Sequence, residues 1–127
     1  MKRGKWATAL FMSVKLTTLL VGLGVFAATT AEAAIVGSVV GPVKHYYSYT
    51  DYGTGDVVIV VTNPPATCPG GFWVRMSDPG AKNVVAELLA AVASQIPMQI
   101  WGYDDLANIW PGSGTATCRL YVVDYVL

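Results

Sequence analysis

The sequence predicts an all-β domain that carries a single helix, and three observations predict it. Short runs rich in valine, isoleucine and tyrosine recur between Gly/Pro clusters, one stretch of strong helix formers stands among them, and a Gly-Pro pair interrupts the first run. From Gly37 to Tyr49 the residues GSVVGPVKHYYSY have strand composition, broken at Gly41-Pro42. Proline cannot donate to a ladder and a strand glycine marks a bulge or bend, so one long, bent first strand is expected.

Asp51-Tyr52-Gly53-Thr54-Gly55 is a turn by composition, and DVVIVVT from Asp56 to Thr62 is a second strand that pairs with the first as a hairpin. Asn63-Pro64-Pro65 stops it. A third strand is expected from Phe72 to Met76, with Phe72, Val74 and Met76 on one face and Trp73 and Arg75 on the other. Trp73 would then be exposed or covered by a neighbouring subunit.

Ser77 or Asp78 is placed to cap a helix and Pro79 suits its first turn. Ala81, Val84, Val85, Leu88, Leu89, Val92 and Ile96 follow at three- and four-residue steps, one apolar stripe to bury against the sheet. Pro97 ends the helix. Met98 to Tyr103 is the fourth strand, Asp104 to Thr117 a loop holding Trp110, and Cys118 to Tyr125 the fifth. Strand, strand, strand, helix, strand, strand is the order of a five-stranded OB-fold barrel, whose long first strand bends to serve both sheets. An open α+β sheet with the helix on one face is the alternative.

The first 33 residues read as a cleavable signal peptide. Lys2, Arg3 and Lys5 give a positive start, Leu16 to Ala31 carries no charge, and Ala31-Glu32-Ala33 offers small residues to a signal peptidase. A membrane anchor needs about 20 predominantly apolar residues, and this run is shorter and holds Thr17, Thr18, Gly22 and Gly24. The expected product is exported, periplasmic or secreted, one domain over residues 34–127, with nothing left to hold it in a membrane. Lys2, Arg3, Lys5, Lys15 and Glu32 leave with the leader, so the 8 basic and 8 acidic groups become 4 and 7, a net charge of −3. Nucleic-acid binding needs clustered Lys and Arg, whereas Lys44, Arg75, Lys82 and Arg119 stand singly. Cys68 and Cys118 are the only cysteines, an even pair in an exported chain, and a disulfide between them is expected.

The chain resembles the family of small exported proteins typified by the subtilase cytotoxin B subunit and its relatives in typhoid-type toxins. The residues that carry the likeness are the leader, Gly37-Ser38-Val39 opening a strand, Cys68 just before the aromatic third strand, and the helix in SDPGAKNVVAELLAAVAS from Ser77 to Ser94. The resemblance implies an OB barrel, a homo-oligomeric ring of five, recognition of sialylated glycans and a separate catalytic A subunit as partner. Toxin-branch relatives often carry additional cysteines, and here there is one pair. The resemblance also implies a glycan pocket with a Tyr and a Ser near the first strand, matched by Tyr46, Tyr47 and Ser48.

The residues themselves point to the same segment. His45, Tyr46, Tyr47, Tyr49 and Tyr52 form an aromatic-rich stretch, and rings with a polar tip both stack on sugar faces and hydrogen-bond to hydroxyls. Half of any alternating strand points inward, however, and tyrosine favours strands for packing reasons alone. Trp110 joins the candidate set as a stacking ring in a Gly/Pro-rich loop, although packing in the core or at a subunit contact is the commoner role for it and for Trp73 and Trp101.

Catalysis has little to stand on. His45 is the only histidine, and acid–base or nucleophilic machinery needs a base oriented by a third group. Gly112-Ser113-Gly114 lacks the spacing of a nucleophile elbow, and Asp51 to Asp56 lacks the alternating ligands of a calcium loop. Neither cofactor nor metal is expected. A non-enzymatic binding protein is the leading expectation, and a small periplasmic structural or interaction module that binds a protein partner is the alternative.

Overall fold

The structure is a computed structural model that describes residues 32–126; all but the last two residues of the expected leader lie outside them. Six strands and one helix follow in order: β1 (Ile35–Gly37), β2 (Val43–Ser48), β3 (Val57–Val61), β4 (Phe72–Val74), α1 (Ala81–Ser94), β5 (Met98–Tyr103) and β6 (Cys118–Tyr125). A short 3-10 turn, Leu106–Asn108, lies between the last two. The strands make a single mixed sheet in the order β1-β5-β6-β4-β3-β2. All its pairings are antiparallel except β4 with β6. The hydrogen-bonded sheet is open, with β1 and β2 as its edges.

The expected long first strand is thus two strands, and the break falls at Gly41-Pro42. The backbone N–H groups of Gly41 and Met98 each donate to the other's carbonyl at 3.0 Å, which ties Gly41 to the start of β5. Val43 is already paired with Val61 of β3. Between them Pro42 has no N–H to give either side, so the chain crosses from one sheet edge to the other there. The β2–β3 hairpin forms as expected, with Gly53 and Gly55 supplying the positive φ of its turn (62° and 90°).

One face of the sheet carries the core. Val57, Ile59 and Val61 of β3, Phe72 and Val74 of β4, Met98 and Ile100 of β5 and Cys118 of β6 pack with Ala81, Leu88 and Ala91 of α1. Cys68 and Cys118 are disulfide-bonded inside this core, with no exposed surface. The bond sits where the parallel strands meet, because Cys118 is the register partner of Phe72.

The helix departs from expectation at both ends and along its stripe. Its N-cap is Gly80, with no side-chain cap, because Asp78 turns instead to Arg119, whose Nε and Nη2 donate to it at 3.1 and 2.8 Å. Gln95 closes the C-terminus in the left-handed region (φ 54°), two residues before Pro97. The buried line runs through Ala81, Leu88 and Ala91, while Leu89 and Val92 are 48% and 39% exposed. The strands underlie only a narrow strip of the helix, so the outer half of the apolar stripe stays in solvent. The Asp78–Arg119 pair is partly exposed on both sides; Asp78→Asn is expected to lower stability by no more than about 1 kcal/mol, measured as the urea midpoint.

Candidate functional site

The second face of the sheet is partly covered as well, and the cover is aromatic. Strand alternation turns Val58 of β3 and Trp73 of β4 away from the main core. The segment after the 3-10 turn folds back over them: Ile109 bridges to Cys118, and Trp110 N–H donates to Thr117 O at 2.8 Å. Trp110 is therefore buried (3% exposed) and packs with Val58 and Trp73 as a satellite core. Trp73, expected to be exposed or covered by another subunit, is covered by its own chain, and its indole N–H donates to Asn108 O at 3.0 Å. The third strand also stops at Val74 rather than Met76.

Around Trp110 stand two of the predicted tyrosines. Tyr49 and Tyr52 lie 4.9 and 5.1 Å from it between ring centroids, at 50° and 68°, and 6.3 Å from each other. Tyr47 is 45% exposed on the same face, opposite Val58, and His45 stacks on it at 5.8 Å. Trp110 is buried and its indole N–H is taken by Asp56, so the rings this cluster offers to solvent are those of Tyr47 and Tyr52, and a tyrosine presents both an apolar face and a polar tip.

A groove of about 310 Å³ opens here, lined by Tyr47, Tyr49 and Trp110, by Val58 and Val60 of β3, and by Ser113, Thr115 and Thr117 of the loop. The hydroxyl-bearing wall is held in shape locally. Thr115 N–H donates to Ser113 Oγ at 2.9 Å, and Thr117 Oγ1 donates to Thr115 O at 3.1 Å. A groove lined by aromatic rings and by a loop carrying hydroxyls and carbonyls has the chemistry to hold a ligand with one apolar face and a polar rim.

The structure therefore divides the predicted residues. Tyr47, Tyr49, Tyr52 and Trp110 come together. Tyr46 points to the opposite face and packs against the main core beside Val43; its burial pushes the phenol above the usual tyrosine range. Ser48 is two residues from Tyr46 and shares its side of the strand, so the string Tyr46-Tyr47-Ser48 does not form one surface.

Sequence reasoning missed Asp56. It is 4% exposed, and Trp110 Nε1–H donates to its Oδ2 at 3.2 Å, tying the loop to the start of β3. Its Oδ1 is buried and, among the described residues, has no hydrogen-bond partner. A carboxylate opening an apolar strand was the available signal, but only the fold brings Trp110 to it from 54 residues away. Among the described residues no group of three or more His, Cys, Asp and Glu side chains is placed to hold a metal ion, and no helix is long and apolar enough to cross a membrane. No family model, curated protein or solved structure matches the chain, so the chemistry of this surface stands on its own geometry.

Proposed function

We propose that the protein is an exported, non-enzymatic binding protein that recognises glycans on the aromatic face of its sheet, as its resemblance to the subtilase cytotoxin B-like family implies. The observation that carries this is the convergence of Tyr47, Tyr49 and Trp110 on one groove walled by Ser113, Thr115 and Thr117. The exposed Tyr47 ring takes the C–H face of a pyranose, and the loop's hydroxyls and carbonyls take its hydroxyls. The disulfide buried in the core suits an oxidising, extracytoplasmic setting.

The fold belongs to the same proposal. A strand order that starts and ends on two consecutive segments of chain, with a one-residue step at Pro42 between β5 and β3, is what an OB-type barrel requires. A ring of subunits and a separate A subunit follow from the family resemblance.

Binding of the fluorescently labelled, purified protein to a printed glycan array tests the reading. The wild type is expected to mark a coherent set of glycans. Tyr47→Ala is expected to weaken that binding about 5- to 10-fold with stability changed by less than about 0.5 kcal/mol, because the side chain is largely exposed. An array with no signal counts against it.

A module that binds a protein partner is the second reading, favoured by the exposed Leu89 and Val92 on α1. It predicts an empty array and an envelope protein that copurifies. Light scattering of the unreduced protein addresses the ring, for which a mass near five times the monomer's is expected.

A further inference from the structure

A second depression of about 230 Å³ is lined by Pro111, the neighbour of the groove's Trp110, and by Tyr52, which packs on that indole. Tyr52, Thr54, Asp56, Trp73, Arg75 and Ser77 are among its walls. Three features set it apart from an accidental hollow. Asp56 is a carboxylate more than nine-tenths buried, and one of its two oxygens has no partner among the described residues. A buried charged acceptor left unmade costs more than a hydrogen bond contributes, so such an oxygen marks a place where a donor belongs. Arg75 lies over Trp73 with its guanidinium carbon 5.4 Å from the ring centroid, which puts a fan of N–H donors at the same rim. Tyr52 is common to both sides: it packs on Trp110 and lines this pocket.

We infer that this pocket is a second sugar subsite, in which a hydroxyl of a neutral pyranose residue donates to Asp56 Oδ1 while Arg75 donates to the sugar's acceptor oxygens. The inference rests on the glycan reading above and extends it: the ligand is at least a disaccharide, lying across Trp110–Pro111 with one residue in each depression. The chemistry selects against the other candidate for a buried carboxylate, an ammonium group, because Arg75 already supplies the cation at this rim. Because Oδ1 is buried, the hydroxyl reaches it as the carboxylate turns about its Cβ–Cγ bond, a broad torsion in aspartate, and Oδ2 turns with it beneath the indole N–H. Ser77 and Thr54 add hydroxyls to the same walls.

Heteronuclear NMR of the purified protein tests it, reading the indole N–H resonances of Trp73 and Trp110 during titration. The probes are lactose, cellobiose, N-acetyllactosamine and N,N′-diacetylchitobiose, each compared with the methyl glycoside of its non-reducing sugar. At least one disaccharide is expected to shift both resonances and to bind about tenfold more tightly than its methyl glycoside. Arg75→Ala, at a half-buried surface position that leaves the core intact, is expected to remove that tenfold advantage while the methyl glycoside binds as before. Asp56→Asn, checked for folding by its own spectrum, is expected to act in the same way. Disaccharide binding that shifts only Trp110 and survives both substitutions overturns the second subsite and leaves the first groove standing. No shift with any of the seven probes overturns the subsite, while the glycan array, which includes acidic glycans, decides the glycan reading separately.

Discussion

Trp110→Ala is expected to lower the unfolding free energy by about 3–5 kcal/mol, the range for truncating a fully packed large aromatic, and to abolish sugar binding in the same protein. The side chain is 3% exposed and forms the satellite core with Val58 and Trp73. It also supports Tyr49 and Tyr52 and donates to Asp56. Removing it leaves a cavity beneath two tyrosines and strips the last partner from a buried carboxylate, so the packing loss and the polar loss fall together. Trp110→Phe separates them. The ring is retained and the indole N–H is lost, and a cost of about 1–3 kcal/mol is expected from the orphaned Asp56 Oδ2. Urea denaturation followed by tryptophan fluorescence and circular dichroism measures both variants. A Trp110→Ala protein as stable as the wild type would show that the loop is not packed on the sheet.

The second large effect is expected from the double substitution Cys68→Ala/Cys118→Ala. The bond joins residues 50 apart, and in the chain-entropy model closing a loop of that length stabilises by roughly 4 kcal/mol. Both sulfurs lie in the core, so alanine also removes packed volume there. A fall of about 4 kcal/mol in the denaturant-extrapolated free energy is expected, large enough to leave a small domain marginal at 37 °C. The same fall should follow from adding a reductant to the denatured wild-type protein before refolding. A loss below about 1 kcal/mol would mean that the unfolded chain is already compact around that loop.

Much of the architecture was legible in the sequence because its signals are local. The valine-rich run of β3, the helix formers after Asp78 and the Gly/Pro punctuation each act over a few residues, and β3, α1, β5 and β6 stand within a few residues of where those signals put them. The Cys68–Cys118 bond was legible too, since two cysteines allow one pairing. The failures are all non-local. Whether Gly41-Pro42 bends one strand or divides two depends on what lies beside each half, and that is Met98 on one side and Val61 on the other. The exposure of Trp73 depended on a loop more than 30 residues later, as the Trp73–Asn108 hydrogen bond records.

The site divides along the same line. Alternation within β2 already separated Tyr46 from Tyr47, but it could not say which of the two faces would be the solvent one. That choice is made by α1, which covers the side carrying Tyr46, Ile59 and Phe72. Asp56 escaped notice because a carboxylate next to a Gly-rich turn is ordinarily solvated. Its burial comes from Trp110, 54 residues on, and from the turn at Gly53, where only a glycine leaves room for the carboxylate.

The place of β6 in the sheet has a consequence for how the chain reaches this fold. β6 is the latest of the six strands in the chain, yet it lies between β5 and β4, and within the strand order the sheet's two parts, β1-β5 and β4-β3-β2, are joined through it. A polypeptide that appears from its N-terminus therefore presents first two unfinished sheets, each with a raw edge awaiting the same partner. Cys68 likewise waits for Cys118, the first residue of that strand. Neither the pairing of the thiols nor the closing of the core, then, can run ahead of the arrival of residues 118–125. Until they arrive the chain carries bare β-edges, the surfaces most exposed to wrong pairing.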